Sequence, residues 1–201
     1  MSAKVSIITP TLHREPRIVA RCIGCVREQT YENWEHILCS DGEFESPIHS
    51  LVLAEESEKL TYHHTSKAHN DYGYGVRKEM VENATGDYLV FYDDDNVIMP
   101  SYLARMVEAL ESAENDEPWA ICRILHFGPL QDFWGKPPKV LTGVPPKLYH
   151  IDTLQIMIRT EVFKQAGFQG ELGYFTDGQT YEEFGNRFKW IEVPECLAIH
   201  L

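Results

Sequence analysis

The segment from Tyr88 to Asn96, which reads YLVFYDDDN, indicates the class of fold. Its first five residues are almost all apolar, as in a strand that is buried on both faces of a parallel sheet. Three consecutive aspartates follow, and their carboxylates repel one another unless a cation or hydrogen-bond donors neutralise them. Because ligands of α/β proteins bind beyond the carboxyl ends of such strands, we expect a ligand site at this point.

Strand and helix patterns alternate on both sides of this segment. Before it, strand patterns lie at 5–9, 34–39 and 60–64, and helix patterns at 14–29, 47–56 and 76–84. After it, a helix begins at Pro100, strand patterns lie at 119–125, 154–159, 191–193 and 196–200, and helix patterns at 160–166 and 181–188. Pro10 is expected to end the first strand. The alternation predicts an α/β fold with a doubly wound, mostly parallel sheet flanked by helices and a mixed second half.

The composition restricts the partners of the chain. The 201 residues suit one domain with a full core, and their formal net charge is −13. Nucleic acids and anionic membrane surfaces attract positively charged proteins, so we expect no general binding to either. The apolar runs fall far short of the ~20 residues that span a bilayer, and the amino terminus lacks the pattern of a signal peptide. We therefore expect a cytoplasmic protein without a transmembrane segment.

The connection formed by residues 126–147 is rich in glycine and proline, which are unfavourable inside a regular element. Connections longer than about 15 residues within a compact domain are usually either functional or disordered. We interpret this one as a mobile loop on the substrate side of the domain.

Asp93 and Asp95 are the candidate metal ligands. In an extended backbone their side chains point to one side and that of Asp94 to the other, so a D-x-D pair can face a cation while Asp94 contacts another group. Carboxylate oxygens select hard or borderline ions, and Mg²⁺ or Mn²⁺ held in this way usually takes its other ligands from substrate phosphates and water. The calcium-loop spacing and the glycine pattern of a P-loop are both absent from the sequence.

Several motifs in a fixed order resemble those of the family 2 glycosyltransferases with the GT-A fold. They are VSIITPTLHR at the start, SDG at 40–42, Arg77 followed by NATGDYLVFYDDDN, then MPSYL and IMIRTEVFKQAGF. Val76-Arg77-Lys78 stands where the family usually has Ala-Arg-Asn. The resemblance implies a single GT-A domain over residues 1–201, with a nucleotide-sugar-binding half at 1–100 and an acceptor-binding half at 101–201.

The resemblance also implies ligands and their contacts. Family members transfer a sugar from a nucleotide diphosphate sugar, usually with Mn²⁺ or Mg²⁺. The loop Thr9-Pro10-Thr11 and Asp41 would contact the nucleoside, with Asp41 reading the base edge as in uridine-using relatives. Arg77, Asp93 and Asp94 would contact the donor, Arg77 by stacking on the base or by binding phosphate. Asp93, Asp95 and the late residue His200 would hold the metal.

An inverting transfer needs a carboxylate that takes the proton from the attacking hydroxyl. The family usually supplies it from a Glu-Asp pair ahead of a Val-Pro-Glu segment, and the corresponding position here is Asp177 in YFTDGQTYEEF. Thr176 replaces the glutamate of that pair. Glu182 and Glu183 are the alternatives for the base, although both also suit a solvated helix face.

We therefore expect a metal-dependent, inverting glycosyltransferase that uses UDP-sugars and an acceptor that is a glycan, a lipid-linked molecule or a protein. Two other functions stay open. The first is a metal-dependent sugar-phosphate nucleotidyltransferase, although these enzymes usually carry a basic, glycine-rich loop after the first strand and this chain has TPTLHREP there. The second is a non-catalytic module that binds nucleotide sugars.

Overall fold

The computed structural model describes residues 2–55, 57–114, 117–127, 138–170 and 173–201, and these form a nine-stranded sheet with flanking helices. The strands are β1 (Val5–Thr11), β2 (Trp34–Ser40), β3 (Leu60–His64), β4 (Tyr88–Phe91), β5 (Val97–Ile98), β6 (Trp119–His126), β7 (Lys139–Leu141), β8 (Ile156–Arg159) and β9 (Ile191–His200). The helices are α1 (Pro16–Arg27), α2 (Ser46–Ala54), α3 (Tyr74–Met80), α4 (Tyr102–Glu111), α5 (Thr160–Ala166) and α6 (Thr176–Arg187), and 3₁₀ turns lie at Val81–Asn83 and Thr153–Gln155.

The first half of the chain forms the parallel part of the sheet. Strands β3, β2, β1 and β4 are neighbours in that order, and each pair is parallel. Successive strands that run parallel in one sheet require crossovers, which α1, α2 and α3 supply. The carboxyl ends of these strands therefore meet at one edge, and the residues that follow β1, β2 and β4 lie close together there.

The second half makes the sheet mixed, as the sequence predicts. Strand β8 pairs antiparallel with both β4 and β6, whereas β9 pairs parallel with β6 and antiparallel with β5. Strand β7 pairs with β6 and lies within the predicted loop at 126–147, of which residues 128–137 are outside the described ranges. Within the described residues, no helix has the length and apolar character needed to cross a bilayer.

Both faces of β4 are buried, as its uninterrupted apolar sequence indicates. Val90 belongs to the hydrophobic cluster that includes Cys22 of α1 and Met106 of α4. Leu89 and Phe91 belong to the cluster on the opposite face. Alternate side chains of a strand point to opposite faces, so a strand in the middle of a two-faced core needs apolar residues throughout.

The predicted boundaries of the first and the last strands are wrong. Strand β1 continues through Pro10 to Thr11, because pairing with β4 ends at Ile8 and the missing N–H of proline costs no hydrogen bond on that side. The two predicted closing strands form a single strand, β9. Its pairing with β6 passes from Val193 directly to Cys196, so the two residues between them are accommodated as an irregularity instead of a break.

Helix α6 begins at Thr176, whereas the apolar pattern predicts a start at Tyr181. Its first turn is polar and carries no apolar period, so sequence periodicity does not detect it. Gly178 allows this turn to approach Leu148, since a Cβ at that position would come within 2.6 Å of a Leu148 side-chain atom. The earlier start places Asp177 in the first turn of the helix.

We predict that replacing Glu35 by Gln lowers the free energy of unfolding at neutral pH by about 2 kcal/mol, because charge-assisted hydrogen bonds contribute about that much. The Glu35 carboxylate accepts hydrogen bonds from Lys4 Nζ at 2.6 Å, Ser6 Oγ at 2.5 Å and the Thr85 backbone N–H at 2.7 Å. Burial alone would raise the pKa of Glu35, but these hydrogen bonds lower it to about 2. Urea unfolding of both proteins measures the difference.

A depressed pKa stabilises the folded state above the unfolded pKa, and this stabilisation is lost as the pH falls. The difference between the wild type and Glu35→Gln should therefore be complete above the ordinary value of 4.5 and should shrink as the pH falls towards 2. Glu32→Gln is the matched control, because Glu32 is exposed. Equal stability of the wild type and Glu35→Gln at pH 7 would contradict the prediction.

Candidate active site

Two neighbouring cavities lie at the edge where β1, β2 and β4 end. The first, the aspartate cavity, has a volume of about 510 Å³ and is lined by Pro10, Thr11, Arg14, Asp41, Asp93, Asp94 and Asp95, among others. The second, the aromatic cavity, has a volume of about 630 Å³ and is lined by Tyr72, Tyr74, Tyr149, Tyr174, Phe175 and Asp177, among others. Asp93 and His200 line both cavities. Most residues proposed from sequence therefore lie on one continuous surface.

Thr9 is the exception at the end of β1. It is completely buried, and its Oγ1 lies 2.9 Å from His36 Nε2 inside the sheet. Burial lowers the pKa of His36 to about 3, so this imidazole is neutral. Pro10 and Thr11 line the aspartate cavity. Of the loop Thr9-Pro10-Thr11 that was predicted to contact the nucleoside, Thr9 therefore does not fit, because its side chain belongs to the core.

Asp41 lies in the aspartate cavity and also holds the loop that follows β3. Its Oδ1 accepts a hydrogen bond from the His69 N–H at 2.8 Å, and its Oδ2 accepts one from the Asn70 N–H at 2.9 Å. Further along this loop Gly73 has φ +82°, and a Cβ there would come within 2.7 Å of the Pro10 ring. By accepting these two backbone hydrogen bonds, the Asp41 carboxylate fixes the start of the loop.

The three aspartates after β4 are divided between two arginines. Arg14 Nε lies 2.9 Å from Asp94 Oδ1 and Arg14 Nη2 lies 3.0 Å from Asp95 Oδ2, whereas Asp93 pairs with Arg77. The strand ends at Phe91 and the backbone turns at Asp94 and Asp95. The expected alternation of an extended strand is therefore wrong, since Asp94 and Asp95 share one partner. Sequence reasoning missed Arg14, although a basic residue just after β1 was a detectable signal.

Arg77 is held within the protein. Its side chain is 2% exposed, it donates a hydrogen bond to the Tyr72 carbonyl at 3.1 Å, and its guanidinium lies 4.7 Å from the centre of the Tyr74 ring. It lines the aromatic cavity and is not among the residues that line the aspartate cavity. A base therefore has no access to the guanidinium from the aspartate cavity. The geometry fits a residue that positions Asp93 better than the predicted stacking or phosphate contact.

Asp177 has the properties of a group that can exchange a proton near neutral pH. It lines the aromatic cavity, and its Oδ1 accepts a hydrogen bond from the Gly178 N–H at 2.7 Å. Burial and then the negative charge of Asp152 raise the pKa of Asp177 to about 6. Glu182 and Glu183 lie further along α6, and neither lines either cavity. Geometry therefore favours Asp177 over both alternatives.

His200 lies at the junction of the two cavities and contacts two residues that sequence reasoning missed. Its ring stacks on that of His126 with centroids 4.3 Å apart, and its Nδ1 lies 2.9 Å from Asp152 Oδ2. Burial would lower the pKa of His200, but the hydrogen bond and charge of Asp152 raise it to about 9. His126 and Asp152 carried no local sequence signal, because only the pairing of β6 with β9 and the turn before β8 bring them to His200.

Exposed aromatic rings surround the mouth of the aromatic cavity. Tyr72, Tyr149 and Tyr174 are each more than half exposed, and the Tyr174 ring contacts those of Tyr72 and Phe175. Rings of this kind offer flat apolar faces together with hydroxyl groups. They can cover one face of a pyranose ring.

The residues at the junction suit Mn²⁺ or Mg²⁺. Asp93 and Asp95 have side chains that are 35% and 39% exposed, so their carboxylate oxygens can reach an ion in the aspartate cavity. His200 adds an imidazole, which favours Mn²⁺ over Mg²⁺. Arg14, which now neutralises Asp94 and Asp95, is 40% exposed and can move aside or contact an anionic ligand. The chemistry of this donor set fits a divalent cation.

Comparison with known proteins identifies relatives over most of the chain. Residues 6–170 match the family described as glycosyl transferase family 2. The succinoglycan biosynthesis protein ExoW of Rhizobium meliloti (strain 1021) is 29% identical over 123 residues, which cover 59% of this chain and 37% of that protein. The chain therefore spans little more than a third of the length of this relative.

Two solved structures share the architecture. Residues 1–349 of S. aureus TarS in complex with UDP match with a TM-score of 0.73 at 14% identity, covering 98% of this chain and 60% of that one. The mannosyltransferase PcManGT from Pyrobaculum calidifontis, in complex with GDP-Man and Mn²⁺, matches with a TM-score of 0.71 at 16% identity, covering 100% and 57%. At these identities the likeness establishes the fold, and the expected GT-A fold is confirmed. Because the family match covers more than half of its residues, this chain belongs to glycosyl transferase family 2.

Proposed function

We propose that the protein transfers a sugar from a nucleotide diphosphate sugar to an acceptor hydroxyl, with inversion at the anomeric carbon. The observation that carries this proposal is the junction of two cavities at Asp93 and His200. One cavity holds carboxylates suited to a cation, which in turn can bind a diphosphate, and the other holds a carboxylate suited to proton transfer. A displacement reaction needs the anomeric carbon of the donor and the hydroxyl of the acceptor to be held next to each other, as two adjoining cavities allow.

The donor is a UDP-sugar in this proposal. The resemblance to uridine-using relatives supports it through Asp41, which lies in the aspartate cavity. The TarS structure that shares the fold contains UDP, and PcManGT contains GDP-Man, so the fold accommodates both uridine and guanosine nucleotides. Arg14 offers a guanidinium to the diphosphate in the same cavity, where a planar fork suits phosphate oxygens.

Asp93, Asp95 and His200 would hold Mn²⁺ or Mg²⁺ in this proposal. When bound, such an ion neutralises the charge that develops on the departing nucleoside diphosphate. Arg77 holds Asp93 at the junction by pairing with it from the buried side. Asp177 accepts the proton of the acceptor hydroxyl in the aromatic cavity, and the ring faces of Tyr72 and Tyr174 orient the acceptor.

A thermal-shift panel of UDP-, GDP-, CDP- and dTDP-sugars, with Mn²⁺ or with EDTA, tests the donor. A ligand present at a hundred times its Kd stabilises the folded state by about 2.7 kcal/mol, which corresponds to a rise in Tm of about 5–10 °C for a chain of this size. We expect this shift with a UDP-sugar and Mn²⁺, and a much smaller shift with EDTA. Asp95→Asn should remove the difference between Mn²⁺ and EDTA.

The other outcomes have definite meanings. A shift with a guanosine sugar alone would overturn the uridine assignment, and no shift with any nucleotide would overturn the proposal. Binding of a donor without any release of its nucleoside diphosphate, even to water, would favour the non-catalytic module. Release of inorganic diphosphate from a sugar phosphate and a nucleoside triphosphate would favour a nucleotidyltransferase.

A further inference from the structure

Three side chains that commonly bind transition metals meet at one side of the aromatic cavity. They are His126, Asp152 and His200, and within the described residues one ligand atom from each lies within 4.8 Å of the others. This group contains His200 but neither Asp93 nor Asp95. It is therefore a different donor set from the one proposed for the donor cation.

The backbone holds these three residues in place. His126 and His200 end β6 and β9, and they are direct partners in the parallel pairing of these strands, which brings their rings together. Asp152 caps the 3₁₀ turn at Thr153–Gln155, and its Oδ1 accepts a hydrogen bond from the Leu154 N–H at 2.8 Å. The other carboxylate oxygen of Asp152, Oδ2, lies 2.9 Å from His200 Nδ1. Ligands fixed in this way lose little conformational freedom when an ion binds.

We propose that His126, Asp152 and His200 form a binding site for a transition-metal ion such as Zn²⁺, and that this site fills without any nucleotide. Two imidazoles and one carboxylate are typical ligands of zinc sites that keep a further position open for water or substrate. Mg²⁺ prefers oxygen ligands and a water shell, so this site discriminates against it. This inference goes beyond the proposed glycosyl transfer and does not depend on it.

The pair formed by His200 and Asp152 requires a small adjustment to hold an ion. His200 Nδ1 and Asp152 Oδ2 are 2.9 Å apart, which is a hydrogen-bond distance. Two ligand atoms on a tetrahedral ion with bonds near 2.1 Å are about 3.4 Å apart, so the pair must open by about 0.5 Å. The ion replaces the proton that His200 Nδ1 shares with Asp152, and this proton is released to solvent. Because His200 also belongs to the proposed donor-cation site, the two ions compete for this side chain.

The test is a titration of the metal-free protein with Co²⁺ in the absence of nucleotide. Co²⁺ takes the place of Zn²⁺ and absorbs visible light strongly in tetrahedral or five-coordinate sites. We expect one equivalent of strongly absorbing Co²⁺, which Zn²⁺ displaces and excess Mg²⁺ does not. His126→Ala and Asp152→Asn should each weaken Co²⁺ binding at least 100-fold, since even outer-shell changes cost about 10–100-fold.

The variants separate this site from the aspartates. Asn at position 152 can still accept the hydrogen bond from the Leu154 N–H, so the Asp152→Asn variant keeps the turn, and circular dichroism verifies that each variant is folded. Asp95→Asn and His64→Ala, the latter at an exposed histidine that ends β3, should keep the full Co²⁺ spectrum. Loss of the spectrum in Asp95→Asn with retention in His126→Ala would overturn the proposal, as would the absence of one-equivalent binding. Neither result affects the thermal-shift test of nucleotide binding.

Discussion

Replacing Asp177 by Asn is expected to lower turnover about 1,000-fold, because a positioned general base contributes roughly 10²–10⁴ to the rate. Asn has nearly the same shape and can accept the hydrogen bond from the Gly178 N–H, so α6 should begin as before. Asp177 lines the aromatic cavity and not the aspartate cavity, so the Kd for the nucleoside diphosphate should stay unchanged. Release of nucleoside diphosphate from the donor that the thermal-shift panel selects measures turnover.

Glu182→Gln and Glu183→Gln are the matched controls. Both remove one carboxylate from the same helix, and neither residue lines a cavity, so turnover should stay at the wild-type value. Unchanged turnover in Asp177→Asn would refute the assignment. A large loss of turnover in Glu182→Gln or Glu183→Gln instead would identify that glutamate as the general base.

The same assignment determines how activity depends on pH. A general base acts in its ionised form, and burial with the charge of Asp152 raises the pKa of Asp177 to about 6. kcat/KM should therefore rise tenfold per pH unit below about 6 and level off above it. This ascending limb should disappear in Asp177→Asn. A limb near the ordinary carboxylate value of 3.8 would mean that a different, unperturbed carboxylate acts as the base.

The fold was predictable where local pattern and tertiary environment agree. The apolar run of β4 predicted the central strand, because burial on two faces requires apolar residues throughout. The amphipathic pattern of α1 predicted the helix that covers it, because burial of one stripe requires apolar residues at helical spacing. The first turn of α6 is polar and shows neither pattern. Its position depends on the close approach of Gly178 to Leu148, which is a tertiary contact.

The candidate site was predictable to the extent that its residues follow strands of the same parallel sheet. Asp41 and Asp93 could be placed at one edge on that basis alone, since parallel strands end together. The partners of these residues could not be placed. Arg14 follows β1 and pairs with Asp94, which follows β4. Asp152 precedes β8 and contacts His200 at the end of β9. Both contacts join residues distant in sequence, so they depend on the completed sheet.

Replacing Arg77 by Met is expected to lower the free energy of unfolding by about 3 kcal/mol, the lower end of the cost of breaking a buried ion pair, because Asp93 keeps some access to water. The Arg77 side chain is 2% exposed, and that of Asp93 is 35% exposed. The loss leaves a carboxylate without its cation and a Tyr72 carbonyl without its donor. Denaturant unfolding of the variant and the wild type gives the difference.

The double variant Arg77→Met/Asp93→Asn decides whether charge pairing or packing produces this loss. If pairing dominates, removal of the second charge should restore part of the lost stability, and a double-mutant cycle should give a coupling energy of about 1–3 kcal/mol. If Met merely packs badly, the two losses should add.

Arg77→Lys separates positioning from direct nucleotide contact, because Lys keeps the charge but not the planar fork. If Arg77 only positions Asp93, the Arg77→Lys variant should bind UDP in EDTA with the same Kd as the wild type. If Arg77 stacks on the base or binds phosphate, the variant should bind UDP more weakly.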